Sequence, residues 1–246
     1  MKLLVAHGSG PSASLIDLIT PHLAAYAQRH GYELSTSTDP DPARDLGART
    51  PQWAKVALLR QLLPEAETVL WVDSDIVLRD QDRDIAQHFH PEDFQALSME
   101  HGDHGPGPNT GIWLLRNNTE AREFLDAVWE RGPLPDATLN DQATVASLLG
   151  FSYLPNLTRP VSPSPWLART GWIHPSWNTL LVMHPEQQSV ARGIHYGGLP
   201  LAEKRVLIRQ QLVSDRLPGW EQLLDPEAVA AIKLTDISHP APRDDR

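Results

Sequence analysis

The chain has 246 residues, which fits one large α/β domain, and its 41% hydrophobic and 21% charged content is that of a globular protein with a sizeable core. Thirty-one acids against 21 bases give a net charge of -10, only four of the bases are lysines, and no Lys/Arg run exists, which argues against nucleic acid as a partner. Cysteine is absent, so disulfides, thiolate metal sites and cysteine catalysis are excluded.

Lys2 to Ala6 reads as a short buried strand, broken by His7-Gly8-Ser9-Gly10-Pro11. It is too short for a secretory apolar region. No apolar run reaches the roughly 18 to 20 residues of a membrane span, so a soluble, cytoplasmic protein is expected. Ser12 or Ser14 is placed to cap a helix running toward His30, which Pro21 is expected to kink or split. Tyr32 to Thr36 suggests a second strand, and Asp39 to Arg49, rich in Pro and Asp, a loop. Thr50-Pro51 supplies a capping hydroxyl and a proline at the first helical position, opening a helix to about Pro64. Thr68 to Val72 is apolar and β-branched, hence a buried strand.

Phe94 to Met99 and Gly111 to Arg116 are further strand candidates. Glu120 to Arg131 reads as an amphipathic helix stopped by Gly132-Pro133, and Asn140 to Leu149 as another stopped by Gly150. Phe151 to Pro175, rich in Pro and Trp, is expected to be mostly irregular. Ile194 closes the last sheet segment, and Leu201 to Val213 and Trp220 to Ile232 read as late helices. Strands alternating with helices predict an α/β fold with a mixed, mostly parallel sheet flanked by helices, and ligands at the carboxyl ends of its strands. The expected organisation is a single domain over 1–237 and a polar, disordered tail over 238–246.

The chemistry centres on Asp73-Ser74-Asp75, just past the buried strand. Residues i and i+2 leave one side of an extended chain, so both carboxylates can face one ligand. Hard divalent cations take carboxylate and phosphate oxygens together, so a metal could bridge this pair to a diphosphate. A solvated acidic turn is the bland alternative. A second alternative is the first motif of the haloacid-dehalogenase-like phosphatases, in which the first Asp is a nucleophile. That pattern needs a later Lys and a later acidic pair. After Asp75 the only lysines are Lys204 and Lys233, and the only Asp-Asp pair is Asp244-Asp245 in the tail.

Other segments follow in a definite order. Lys55 stands on the helix Trp53-Ala54-Lys55-Val56-Ala57-Leu58-Leu59-Arg60, where it could offset phosphate charge or merely sit at the surface. Asn109-Thr110-Gly111 opens a strand, and Gly111 would allow close approach to a ligand. Asn140-Asp141-Gln142 opens a helix, where Asn140 or Asp141 would also suit as an ordinary N-cap. His195-Tyr196-Gly197-Gly198 pairs an imidazole with two glycines behind a short apolar strand. Trp166, Trp172 and Trp177 form either a stacking wall for an acceptor or packing under a long loop. His101, Gly102, His104, Gly105 and Gly107 suit a lid or a plain loop.

In this order the segments from Thr50 to Pro200 resemble the GT-A glycosyltransferases, most of all the retaining galactosyl-, xylosyl- and mannosyltransferases of glycosyltransferase family thirty-four. The resemblance implies transfer of a hexose or pentose from a nucleoside diphosphate sugar, UDP favoured, to an acceptor hydroxyl on a saccharide or small molecule. It implies that Asp73, Asp75 and His195 hold Mn2+ or Mg2+. Donor contacts are implied for Lys55, Ser74, Asn109, Gly111, Gly197 and Gly198, and for Asn178, which with Trp177 looks like a Trp-Asn pair of related sites. Asp141 would accept hydrogen bonds from sugar hydroxyls, Gln142 would lie near the anomeric carbon, and His7-Gly8-Ser9 would touch the base or ribose. Related enzymes often carry a Lys a few residues after the histidine. Here Leu201 stands six residues on and Lys204 nine, leaving Lys204, Arg205 or Lys55 as the phosphate cation. The alternatives are a nucleotide-sugar hydrolase or nucleotidyltransferase with the same metal site, and a non-catalytic nucleotide- or carbohydrate-binding module.

Overall fold

A computed structural model describes residues 1–39, 49–102, 105–135, 139–151 and 162–223. The expected Asp39–Arg49 loop, most of the Trp220–Ile232 helix and the tail therefore fall largely or wholly outside the described residues.

Among the described residues nine strands are seen: β1 (Lys2–His7), β2 (Tyr32–Ser37), β3 (Thr68–Val72), β4 (Ile76–Leu78), β5 (Gln95–Gly102), β6 (Gly105–Arg116), β7 (Thr170–Ile173), β8 (Thr179–Leu180) and β9 (Gly193–His195). The α-helices are α1 (Ala13–His30), α2 (Ala54–Leu62), α3 (Thr119–Arg131), α4 (Asn140–Leu148) and α5 (Leu201–Ser214). The main sheet has the order β2-β1-β3-β6-β5-β7, and only β6 runs against the rest, giving the mixed, mostly parallel sheet expected. A second small sheet, β4-β9-β8, stands beside it. No helix among the described residues is long and apolar enough to cross a membrane.

The near-continuous apolar runs of β1 and β3 follow from burial on both faces. Leu4, Ala6, Leu70 and Val72 pack with α1, α5 and the small sheet. Leu3, Val5, Val69 and Trp71, their alternates, pack with α2, α3 and α4 on the other face. Trp53, Trp113 and Trp177 are wholly buried, and truncating one such indole costs about 3–5 kcal/mol. Trp166 packs edge-on against Phe94 and Phe124, and Trp172 against Phe151. Trp166, Trp172 and Trp177 therefore take the packing role and do not form a stacking wall.

Three expectations change. Pro21 neither splits nor ends α1, which runs unbroken for 18 residues. Pro21 lacks only the bond to Asp17, an exposed residue, and the apolar face from Leu15 to Ala27 holds the helix on the sheet. The stretch read as mostly irregular, of which 152–161 lie outside the described residues, contains one four-residue strand, β7, whose partner β5 supplies its pairing. The Gly-rich segment before Asn109 is the tip of the β5–β6 hairpin, with Gly102 paired to Gly105; His104 lies outside the described residues.

Candidate functional site

Asp73 to Asp75 is the crossing from the main sheet to the small one, since β3 ends at Val72 and β4 begins at Ile76. It is a tight turn, not the extended segment supposed from sequence: the Ile76 N–H donates to the Asp73 carbonyl at 3.0 Å. Its ends are pinned. The Asp73 N–H donates to the Gly111 carbonyl at 2.8 Å, and the Tyr196 N–H to the Asp75 carbonyl at 2.9 Å. His195 comes beside the turn because β9 pairs antiparallel with β4, His195 opposite Ile76. Residues 120 apart in sequence thus meet through three rungs of a small sheet.

One oxygen each from Asp73 and Asp75 and one ring nitrogen of His195 lie within 4.8 Å of one another. They line a cleft of about 400 Å³ at the carboxyl ends of β1 and β3, together with His7, Gly8, Ser9, Ser12, Lys55, Ser74, Asp141, Gln142, Gly197, Gly198 and Lys204. Thirteen of the residues given site roles from sequence line it, whereas Arg205, the other cation offered, lies elsewhere, beside Leu18 and Arg209. Two carboxylate oxygens and an imidazole nitrogen are the hard-to-borderline donors that Mn2+ or Mg2+ accepts, so the residues fit a divalent cation.

Lys55 ties the first half of the site together. Its buried ammonium contacts Asp73 at 2.9 Å and Asp141 at 3.5 Å, and donates to the Thr110 carbonyl and hydroxyl at 3.1 and 3.2 Å. The Thr110 hydroxyl donates in turn to Asp141 at 3.1 Å. Burial works against the Lys55 charge, but Asp141 and Asp73 outweigh it and hold its pKa above the ordinary value. Burial raises the Asp141 carboxyl, and Lys55 offsets only part of that. Neither Asn140 nor Asp141 acts as the N-cap of α4, which is Leu139 without a side-chain bond. Asn140 sits at φ 48 and accepts the Thr50 hydroxyl at 2.8 Å, joining the starts of two helical segments.

The second half is Asp75, His195 and Lys204. His195 Nε2 lies 3.4 Å from Asp75 Oδ1, and the Lys204 ammonium lies 2.6 Å from Oδ2. Burial opposes the Asp75 charge, yet His195 and Lys204 hold its carboxyl well below the usual carboxylate range. Burial also opposes a charged His195, and Asp75 nonetheless lifts the imidazole above its ordinary value. Lys204 therefore reaches the site despite its late position, because α5 starts at Leu201 and turns its first coil onto the cleft.

Asn109, Gly111 and Asn178 form a layer behind the cleft and do not line it. Asn109 Oδ1 accepts the Gly111 N–H at 2.8 Å and the Asn178 side chain at 2.7 Å. A Cβ on Gly111 would lie 3.0 Å from His195 Cε1, so glycine is required for the imidazole to pack, whatever approaches from the cleft. Three residues escaped the sequence reading. The Trp71 indole donates to Asp73 Oδ1 at 2.6 Å, Thr110 bridges Lys55 and Asp141, and Glu100 accepts both Asn109 at 2.7 Å and Gln142 at 3.4 Å.

A family model for the galactosyl transferase GMA12/MNN10 family matches residues 5–106. "Probable glycosyltransferase 7" of Oryza sativa subsp. indica is 31% identical over 134 residues, 51% of this chain and 29% of that protein. "Xyloglucan 6-xylosyltransferase 2" of Arabidopsis thaliana is 35% identical over 92 residues, 33% of this chain and 19% of that protein. The chain spans a third or less of the length of these curated relatives. Among solved structures, a glycosyltransferase involved in glycosylation of the major capsid of PBCV-1 superposes with a TM-score of 0.65 at 18% identity, covering 85% of this chain and 98% of that one. The apo form of the glycosyltransferase GlyE of Streptococcus pneumoniae TIGR4 gives 0.54 at 13% identity, covering 100% and 66%. At such identities these structures speak to the fold. The chain thus has the GT-A fold of these solved glycosyltransferases and, over residues 5–106, is similar in sequence to the galactosyl transferase GMA12/MNN10 family, glycosyltransferase family thirty-four.

Proposed function

We propose that this chain moves a sugar from a nucleoside diphosphate sugar, with UDP as the favoured nucleotide, to an acceptor hydroxyl, with retention at the anomeric carbon and with Mn2+ or Mg2+ in the cleft. One observation carries the reading: Asp73, Asp75 and His195 converge within 4.8 Å at the carboxyl end of β3, in a cleft that also receives Lys55 and Lys204. In an acidic protein, binding an anionic nucleotide calls for positive charge gathered locally. Asp73, Asp75 and His195 would hold the cation, which when bound supplies charge neutralisation to a departing diphosphate.

The chain's own residues support the rest of the reading. Lys55 and Thr110 set the orientation of Asp141 before substrate arrives, which suits a group that must meet sugar hydroxyls in one geometry. Gln142 must present its NH2 to the Glu100 carboxylate, an acceptor-only group. Its carbonyl oxygen is then the end left to face developing positive charge at the anomeric carbon. Asp141 and Gln142 are the proposed sugar-side residues, and the His7-Gly8-Ser9 turn the proposed base or ribose side. The His7 ring, itself buried, lines the cleft there, which suits that role. Ser74, Gly197 and Gly198 also line the cleft and are the proposed diphosphate side. The absence of cysteine suits a reducing compartment, and a cytoplasmic setting is part of the proposal.

The test is turnover by mass spectrometry with a panel of UDP- and GDP-sugars, Mn2+ and hydroxyl acceptors. Acceptor glycosylation that disappears in EDTA and in Asp75→Asn is the expected result. Free sugar without acceptor product would favour the hydrolase reading, and activity unchanged by both interventions would sink the metal mechanism.

A further inference from the structure

Asp75 is asked to do two things with the same carboxylate. Oδ1 faces His195 at 3.4 Å and Oδ2 carries the Lys204 ammonium at 2.6 Å. The Lys204 and Asp75 side chains are 18% and 13% exposed, so the pair is largely withdrawn from solvent. A divalent cation held by Asp73, Asp75 and His195 would share this one carboxylate with the ammonium. A dication and an ammonium crowded onto one carboxylate repel strongly in such a setting.

We propose that Lys204 is an exchangeable counter-ion: it neutralises Asp75 when no metal is bound, yields the carboxylate to the divalent cation, and moves onto the donor's phosphates. The inference rests on the function proposed above and adds a mechanism of coupling between metal and nucleotide.

The cleft leaves the displaced ammonium few partners. The other carboxylates lining it, Asp73 and Asp141, both already hold Lys55. A diphosphate is an anion that would arrive with the metal and lie on the same side as Gly197 and Gly198. Lysine suits the exchange because it is a point charge on a flexible four-carbon stem. Its backbone is fixed in the first turn of α5, where its N–H donates to the Pro200 carbonyl at 3.0 Å. Only the side chain has to swing.

The consequence is a sign difference. In the absence of nucleotide Lys204 opposes the metal, and in its presence Lys204 supports the diphosphate. Metal and nucleotide are then coupled positively, and the coupling is reciprocal. Two other roles give different signs. A lysine that stayed on Asp75 throughout would weaken metal binding and, through the metal, nucleotide binding as well. A purely structural lysine would support both.

The experiment compares wild type, Lys204→Met and Lys204→Arg. Mn2+ binding without nucleotide is read from loss of the free-ion electron paramagnetic resonance signal. UDP binding at saturating Mn2+ is read by calorimetry, and thermal melts check folding. Lys204→Met is expected to bind Mn2+ about tenfold more tightly and UDP about tenfold more weakly, with Lys204→Arg near wild type in both. Any other pairing of signs in Lys204→Met overturns the exchange, including no change in either. A wild type that binds neither Mn2+ nor UDP contradicts the proposed function itself, which keeps the two failures apart.

Discussion

Asp73 owes its setting to two residues of very different legibility. Lys55 drew notice as one of only four lysines. Trp71 did not, because an indole inside an apolar strand reads as core, and it is indeed only 2% exposed. Its N–H nevertheless reaches Asp73 Oδ1 at 2.6 Å, a bond to a charged acceptor worth about 1.5–3 kcal/mol. Trp71→Phe keeps the apolar packing and removes the donor. Mn2+ affinity is expected to fall about tenfold, with a melting temperature lowered by only a few degrees. Unchanged Mn2+ affinity would remove Trp71 from the site. Lys55→Met is a harsher change, because it strands two carboxylates on one buried spot. A loss of about 3–5 kcal/mol is expected, read as a lower denaturant midpoint, and Lys55→Met with Asp141→Asn should recover part of it. Thr110 and Glu100 stayed hidden because their roles exist only once β6 lies between β3 and β5.

At the scale of elements, the strands buried on both faces were readable, and of the small sheet only the segment closed by Ile194 was. β1 and β3 announce themselves by apolar runs with Gly or Asp behind them. β4, β8 and β9 hold only two or three residues each, too short for a period, and β7 hides among Pro and Trp because its pairing comes wholly from β5. Yet the small sheet is what carries His195 to the acidic turn. Its tolerances are tight. A Cβ on Gly111 would lie 2.9 Å from Asn109 Oδ1 and 3.0 Å from both His195 Cε1 and Ile76 Cδ1. Gly111→Ala is therefore expected to destabilise by about 1–3 kcal/mol and to weaken Mn2+ binding through displacement of His195. A stability loss with intact Mn2+ affinity would show that the imidazole position is set elsewhere. One misreading at this scale was instructive: Pro21 suggested a broken helix, but tertiary packing of α1 overrode a local cost of about 3 kcal/mol.

For the molecule as a whole, one buried group outside the site makes stability depend on pH. His22, wholly buried in α1, accepts the Leu78 N–H through Nε2 at 3.0 Å, and burial pulls its pKa down to about 3. The unfolded chain takes up that proton near the ordinary value of 6.5, whereas the folded chain resists to about 3. Between those values the unfolded state holds more protons, so this contribution is complete above the upper one and is lost as pH falls. His195 has the opposite sign, its contribution being present at low pH and fading as pH rises through its raised folded value. Comparison isolates His22: melts between about pH 7 and about pH 4 should fall less steeply in His22→Gln than in wild type, even though the variant is less stable at neutrality. Equal slopes would contradict a neutral buried imidazole. The central claim concerns the whole cleft, and calorimetric titration of UDP in Mn2+ and in EDTA tests it most directly. A diphosphate bound through a metal on Asp73, Asp75 and His195 requires affinity at least about tenfold higher in Mn2+, with the difference abolished in Asp75→Asn. Equal UDP affinity in Mn2+ and EDTA would contradict it.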